Sequence, residues 1–136
     1  MRKSGCYYTV VVEDVAARKV VATATLLVEY KFIRGGNLCG HVEDVVVDAS
    51  QRGKKLGVSC VSVTSCVASD AVLTVTQLQV KLMHALQHIG LEVGCYKVIL
   101  DCSQDNVEFY KRCGFAVKEV QMAVYLPANE SRGVKL

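Results

Sequence analysis

The sequence has no tryptophan, a single proline and no Cys-x-x-Cys pair among its seven cysteines. An odd number of cysteines without such pairs argues against a disulfide framework or a zinc ribbon and favours reduced thiols. No apolar signal-peptide core follows the N-terminal methionine. These absences predict a cytoplasmic protein.

Strong charge and disorder-promoting composition are missing as well. Sixteen Lys+Arg against thirteen Asp+Glu leave a net charge of +3, which by itself does not indicate a nucleic acid or membrane partner. The chain is 51% hydrophobic, so it is neither disordered nor collagen-like. Its 136 residues contain no linker and no internal repeat, which predicts a single domain over 1–136.

Local patterns predict an α/β fold. Runs rich in β-branched, aromatic or other apolar residues predict strands at 7–13, 20–33, 41–48, 97–102 and 115–126, the last as one strand or a strand pair. Apolar residues at helical spacing predict a helix over 80–93, and 106–112 suits a shorter one. Hairpins followed by a helical crossover give a mixed sheet with flanking helices.

Residues 58–79 do not fit this plan. They contain six valines and four serines, and Asp70 is their only charge. High β-branched content argues against a good helix, and clean alternation is missing. Asp70 near the middle also argues against a membrane span, so we expect no integral membrane segment. We interpret 58–79 as an inserted surface segment or a poorly ordered loop, and 127–136 as a tail.

Two polar patterns could carry chemistry near the third strand. The glycine-bearing basic loop 51–57 could hold an anion on its backbone N–H groups, or it could be a solvated turn. Glu43 and Asp44 are adjacent in a predicted strand, so they should point to opposite faces, and one should be buried. A carboxylate at a cleft can accept a proton or orient an ammonium. The alternative for this pair is an ion pair at the end of the sheet.

Two further pairs have helical i, i+4 spacing. Asn106 and Tyr110 share a helix face and could donate hydrogen bonds into one cleft, or they could be a cap and a core tyrosine. His84 and His88 have the spacing of two zinc ligands, but no third ligand stands out. We therefore expect an exposed helix face there and no metal.

Taken together, these strings resemble the eukaryotic glucosamine 6-phosphate N-acetyltransferases of the GNAT superfamily. The resemblance covers most of the chain outside 58–79 and the last ten residues. It rests on these segments, in order: Lys3-Ser4-Gly5, Tyr7-Tyr8, Val11-Val12-Glu13-Asp14-Val15, Val21-Ala22-Thr23-Ala24-Thr25-Leu26, Val42-Glu43-Asp44-Val45-Val46-Val47, Arg52-Gly53-Lys54, Gly94-Cys95-Tyr96-Lys97, Leu100-Asp101-Cys102 and Asn106-Val107-Glu108-Phe109-Tyr110-Lys111.

The resemblance implies acetyl transfer from acetyl-CoA to the amine of glucosamine 6-phosphate, by a homodimer. It implies that Glu43 and Asp44 lie by the sugar amine and that Tyr110 protonates the leaving thiolate. Lys31 and Arg34 become candidates for the sugar phosphate. The acetyl-CoA contacts that it implies are the strand backbone at Val45, Val46 and Val47, the loop residues Arg52, Gly53, Lys54, Lys55 and Gly57, and Asn106.

Three departures from the family pattern carry expectations of their own. Lys55 stands where the family's loop has its first glycine, while Gly57 is kept. The chain begins where the family's second strand begins, so the first strand and two helices are missing. We expect that loss to expose a sheet edge and an apolar face. Residues 58–79 interrupt the passage from Gly57 to the helix, which should separate the two halves of the anion site.

Other functions remain open at this point. A chain impaired by these departures could be a non-catalytic CoA-binding or dimerisation partner. A GNAT enzyme acting on protein or polyamine amines is a second alternative. A nucleic-acid site at the basic loop is disfavoured, because no aromatic stacking platform accompanies it.

Overall fold

The computed structural model describes residues 6–14, 17–33, 35–48, 56–61 and 71–125, with the backbone alone at 56–61 and 71–73. Its elements, in chain order, are strands β1 (Tyr7–Asp14), β2 (Lys19–Tyr30), β3 (Leu38–Val47), β4 (Leu56–Val61) and β5 (Ala71–Leu73), helix α1 (Val75–Glu92), strand β6 (Cys95–Ile99), a 3₁₀ turn (Gln104–Asn106) and helix α2 (Val107–Arg112).

All six strands form one mixed sheet in the order β5-β4-β1-β2-β3-β6. The first three strands make an antiparallel meander, and β6 joins β3 in parallel after the α1 crossover. The predicted α/β class and mixed sheet are confirmed. Strand β2 ends at Tyr30 rather than at residue 33, because Phe32 and Ile33 lie in an exposed turn.

One face of the sheet packs against α1. Residues that are partners across an antiparallel pair share a face, so the alternating apolar residues of the meander form one buried layer. The buried layer of the sheet includes Val10, Val12, Ala24, Leu26 and Val42, and the facing residues of α1 are Leu78, Leu82, Met83 and Leu86.

Helix α1 begins five residues before the predicted start at Val80. Thr74 is its N-cap: the Thr74 hydroxyl accepts from the Gln77 backbone N–H, and the Gln77 side chain accepts from the Thr74 backbone N–H. This reciprocal capping box satisfies two donors that a helix start leaves free. Residues 75–79, assigned from the sequence to the inserted segment, therefore belong to the helix.

The first residues of 58–79 form a paired strand rather than a loop. Strand β4 pairs antiparallel with β1, from Asp14↔Val58 to Val11↔Val61. Strand β5 pairs with β4 through Leu56↔Leu73, Gly57↔Val72 and Val58↔Ala71. Valine-rich, uncharged sequence suits a paired strand once a neighbour is present. Residues 62–70 lie outside the described part of the chain.

The last predicted strand is wrong over its described residues. Residues 115–125 carry the alternation of a strand but make no ladder, and Val120, Met122 and Val124 are each at least 83% exposed. A strand requires a neighbouring strand to bond its backbone, and none pairs with these residues in the described part of the sheet. Leu126 is not described.

Helix α2 matches the predicted span apart from its first residue.

No helix in the described residues is both long and apolar enough to cross a membrane.

Candidate functional site

A β-bulge lies in the middle of β3. Thr25 pairs with Glu43, but Thr23 pairs with Val46, so Asp44 and Val45 together face one residue of β2. Asp44 adopts a left-handed backbone conformation with φ of 53°, which aspartate tolerates better than most residues. The bulge breaks the alternation of the strand at this point.

The bulge changes where the acidic pair points. We predicted opposite faces for Glu43 and Asp44, with one carboxylate buried, but both side chains are exposed. The left-handed residue rotates the chain, so the period-2 rule does not hold across it. Both carboxylates are therefore solvated, and neither incurs the cost of burial.

The sheet opens beside this bulge. Strand β6 pairs with β3 only from Leu38 to His41 and ends at Ile99, whereas β3 continues to Val47. Within the described strands, nothing pairs with the β6 side of β3 beyond His41. The predicted pantetheine residues Val45, Val46 and Val47 line this opening. An extended amide chain can bond to such a free strand edge.

Asn106 and Tyr110 are found at the same end of the sheet. The carboxyl ends of the parallel strands β3 and β6 lie at one edge, and α2 follows β6 after a short connection. Asn106 is exposed and donates from Nδ2 to the Ser103 hydroxyl at 3.1 Å. It occupies the N-cap position but makes no side-chain cap bond, so its amide does not serve as a cap.

Tyr110 is half-buried among aromatic rings. Its ring centroid lies 5.0 Å from that of Phe109 and 6.1 Å from that of Phe115, both in edge-on geometry. Burial raises the pKa of the Tyr110 phenol above its usual range, and the neighbouring Cys102 and Cys113 raise it further. The phenol therefore carries its proton at neutral pH, where it can act as an acid but not as a base.

The start of α1 adjoins the end of the basic loop. The Leu56↔Leu73 pair places the Cα atoms of these residues about 4.5–5.5 Å apart, one residue before the Thr74 cap. Residues 56–58 and 71–73 are therefore neighbours, and the predicted separation of the two halves of the anion site stays a prediction. Gly57 pairs with Val72, and Arg52, Gly53, Lys54 and Lys55 lie outside the described residues.

A shallow groove of about 280 Å³ follows the first turns of α1. Thr76, Gln77, Val80 and Lys81 line it. The first turn contains no acidic residue, but the capping box already engages the backbone N–H groups of Thr74 and Gln77. Sequence reasoning missed these residues, although the Thr74-x-x-Gln77 capping signature was a readable signal for the helix start.

Of the two sugar-phosphate candidates, Lys31 is not brought to the bulge. Lys31 follows Tyr30, which pairs with Leu38 at the opposite end of β3 from Asp44. Six residues of strand separate Thr25 from Lys31, a distance of about 20 Å. Arg34 lies outside the described residues.

Lys31 is also engaged by a neighbour. Its ammonium donates to the Glu29 carboxylate, and His41 Nε2 lies 3.0 Å from the same oxygen. The Lys31 contact lowers the pKa of Glu29 and raises that of Lys31. This pair holds the ammonium near Glu29, away from the bulge.

The histidine pair of α1 faces solvent, as predicted. His84 and His88 are both exposed, and His88 Nε2 lies 4.0 Å from the Glu92 carboxylate. Within the described residues, no three His, Cys, Asp or Glu side chains come together as metal ligands.

Comparison with known proteins gives consistent matches. The chain is 38% identical over 119 residues to glucosamine 6-phosphate N-acetyltransferase of Schizosaccharomyces pombe, covering 88% of this chain and 87% of that protein. It is 40% identical to glucosamine 6-phosphate N-acetyltransferase 1 of Dictyostelium discoideum over 93% of this chain, but spans only 66% of that relative's length. No protein-family model matches.

The fold agrees with these matches. The crystal structure of glucosamine-6-phosphate N-acetyltransferase from Arabidopsis thaliana superposes with a TM-score of 0.70 at 34% identity, covering 91% of this chain and 69% of that one. The similarity to these enzymes thus extends over most of this chain, including the strands on either side of the opening. This chain belongs to the glucosamine 6-phosphate N-acetyltransferase family, with the GNAT fold.

Proposed function

We propose that this chain transfers the acetyl group of acetyl-CoA to the amine of glucosamine 6-phosphate, giving N-acetylglucosamine 6-phosphate for UDP-N-acetylglucosamine synthesis. The observation that carries the proposal is the opening of the sheet between β3 and β6, with the Asp44 bulge and its two carboxylates on one wall. This opening has an unpaired strand edge, to which the amide groups of the pantetheine chain could bond. It also has two carboxylates, which could bind an amine.

Acetyl-CoA fits this opening in parts. The backbone of Val45 to Val47 would bond to the pantetheine amides, and Asn106 would contact the cofactor from the far wall. The loop of Arg52, Gly53, Lys54, Lys55 and Gly57 would hold the phosphates. Backbone donors at the opening would also polarise the thioester carbonyl as negative charge develops.

The sugar ammonium loses two protons in the reaction, and the CoA sulfur gains one. Glu43 and Asp44 would orient the ammonium and accept its first proton, so that the free amine attacks the thioester carbon. A C–N bond forms and the C–S bond breaks, releasing the CoA thiolate. Tyr110 would donate its proton to that sulfur, and the resulting phenolate would take up the second proton of the nitrogen. Contact between Arg34 and the sugar phosphate stays a prediction. The placement of Lys31 argues against a contact between Lys31 and a sugar phosphate bound at the bulge of the same protomer.

The test is formation of N-acetylglucosamine 6-phosphate by the purified 1–136 chain, followed by mass spectrometry because the chain's own thiols interfere with thiol detection. We expect turnover, and Tyr110→Phe should lower kcat by about 100-fold because the proton donor is lost. The control is Tyr96→Phe, which removes an exposed hydroxyl away from the opening and should leave kcat unchanged.

One alternative is a chain that binds CoA or pairs with a full-length copy without catalysing transfer. Strands β4 and β5, which lie between the basic loop and the start of α1, favour this alternative. Calorimetric titration with CoA separates the two functions: binding without turnover favours the non-catalytic partner, and turnover removes it.

We also propose a homodimer formed through residues 115–125. Their alternating apolar side chains are exposed, including Val120, Met122 and Val124, and a second copy would supply the missing strand partner. Val120→Lys with Val124→Lys should shift sedimentation from dimer to monomer. Gln121→Lys with Ala123→Lys, which adds equal charge at the alternate positions, should have a smaller effect. Equal behaviour of the two pairs would contradict this interface.

The proposed compartment is the cytoplasm. Five cysteines in the described residues are free thiols: Cys6, Cys39, Cys95, Cys102 and Cys113. Unpaired thiols suit a reducing environment.

A further inference from the structure

The outer edge of β1 has the properties of a strand-binding surface. Residues 7–12 of this strand, Tyr-Tyr-Thr-Val-Val-Val, contain no charge and no proline. An edge strand of this composition invites pairing with other chains, since natural proteins protect such edges with lysine, proline or bulges. Strand β1 would be the last strand on this side of the sheet if β4 were not there.

Strand β4 occupies part of that edge. It pairs with residues 11–14 of β1 in four antiparallel steps, and β5 then pairs with residues 56–58 of β4. Strand β5 is only three residues long, and very short edge strands offer little template for further pairing. The segment that interrupts the family pattern thus converts a long apolar edge into a short one. Residues 7–10 of β1 keep an outer side without a strand partner among the described elements.

We propose that the outer edge of β1 binds an extended strand, that β4 fills this site within the same chain, and that a second copy's β1 fills it when β4 is released. Two copies of β1 related by a two-fold axis pair antiparallel, which is how β1 pairs with both of its neighbours. A register centred on Thr9, which then faces its own copy across the two-fold axis, pairs residues 6–12 with each other. Glu13 and Asp14 then lie outside the paired section, so no like charges face one another.

This contact is independent of acetyl transfer and of the interface proposed for residues 115–125. Strand β1 lies on the β5 side of the sheet, whereas β6 forms the opposite edge. Two different self-contacts on one molecule produce open chains rather than a closed dimer. Release of β4 therefore produces assemblies larger than a dimer.

The test replaces two adjacent residues of β4 by proline, in Ser59→Pro/Cys60→Pro. Successive N–H groups of a strand point to opposite sides, so one of the two prolines removes a donor that faces β1. The matched control is Ser59→Ala/Cys60→Ala, which keeps both donors. We expect the proline variant to self-associate, by sedimentation velocity, at concentrations at least tenfold lower than the control. Adding Tyr7→Lys to the proline variant should restore the behaviour of the control, because lysine protects an edge.

Equal sedimentation of the proline and alanine variants would overturn the proposal, and so would association that Tyr7→Lys leaves unchanged. Hydrogen exchange on the unmodified protein gives an answer that does not depend on how the variants fold. Amides of β1 that point away from β2 should exchange at least tenfold more slowly in residues 11–14 than in residues 7–10. Equal rates in the two halves would mean that β4 does not hold the edge.

Discussion

At the scale of single residues, Asp44 has a backbone role in addition to the chemical role proposed for it. Its left-handed conformation forms the bulge, and its carboxylate is exposed. Asp44→Val should destabilise the protein by about 1–2 kcal/mol, because a β-branched residue is poorly tolerated at positive φ. Asp44→Gly should fold at least as stably as the parent. Urea unfolding of both variants measures the backbone effect.

The glycine variant also separates the two roles of Asp44. It keeps the bulge and removes the carboxylate, so under the proposed function we expect it to lose turnover although it is stable. Asp44→Asn tests the charge alone, since asparagine tolerates the same backbone conformation and keeps a side chain of the same size. We expect it to be stable and to lose turnover as well. If Asp44→Val were as stable as Asp44→Gly, the left-handed conformation would not be a constraint on this residue.

Sequence reasoning found the acidic pair but not the bulge. Residues 41–48 have the composition of a strand, and a strand forms there. The extra residue of the bulge is defined by the register of β3 against β2, where Thr25↔Glu43 is followed by Thr23↔Val46. That register depends on the partner strand, so the local sequence of β3 does not predict it.

At the scale of elements, the packing of α1 on the sheet depends on Gly90. A Cβ at Gly90 would lie 2.8 Å from Val98 Cγ2 and 3.7 Å from Leu26 Cδ2. Gly90→Ala gains about 1 kcal/mol of helix propensity, but overpacking a core costs about 1–3 kcal/mol. We expect net destabilisation in thermal unfolding.

A double-mutant cycle identifies the cause. Val98→Ala removes the methyl group that clashes, so Gly90→Ala should be less destabilising in the Val98→Ala background, with a coupling of about 1 kcal/mol. Additive effects would show that the clash with Val98 is not what excludes alanine. Gly94→Ala provides a contrast, because no heavy atom lies within 4 Å of its Cβ position and its cost comes from φ of 87° alone.

Elements differ in how far local sequence defines them. The meander and the body of α1 were predictable from β-branched runs and helical spacing. The start of α1 was not, because Thr74 and Gln77 lie in a valine- and threonine-rich stretch whose propensity favours strand, and the capping box outweighs it. Residues 115–125 show the reverse case: the strand pattern is present, but a strand forms only against a partner.

At the scale of the whole molecule, buried thiols make stability depend on alkaline pH. Burial raises the pKa of Cys39, Cys95 and Cys113 above the ordinary value of 9.0, and burial raises that of Tyr110 above 10.0. Above pH 9 the unfolded chain loses these protons first, so the folded state binds more protons and its stability falls as pH rises. Below pH 9 these groups are protonated in both states, and their full contribution to the free energy of unfolding is present.

Urea unfolding across pH 7 to 11 checks this dependence. The free energy of unfolding should be level through neutral pH and decline above about pH 9. Cys39→Ala should make the decline shallower, because one buried thiol with a raised pKa is gone. Cys6→Ala serves as the control, since Cys6 contributes to none of these raised pKa values and its removal should leave the slope unchanged. A decline that begins well below pH 8 would indicate other groups.

The parallel pairing of β3 with β6 has a consequence for the order of assembly. The meander joins strands that are neighbours in the chain, so it can form as soon as β3 has been synthesised, whereas Leu38–His41 must wait for residues 95–99 and the crossover helix between them. Contacts between distant parts of a chain close late and slowly. On the ribosome, the pairing of β3 with β6 is therefore the last step in completing the described sheet. A nascent chain that stalls before Ile99 exposes β3 as a bare edge along its whole length.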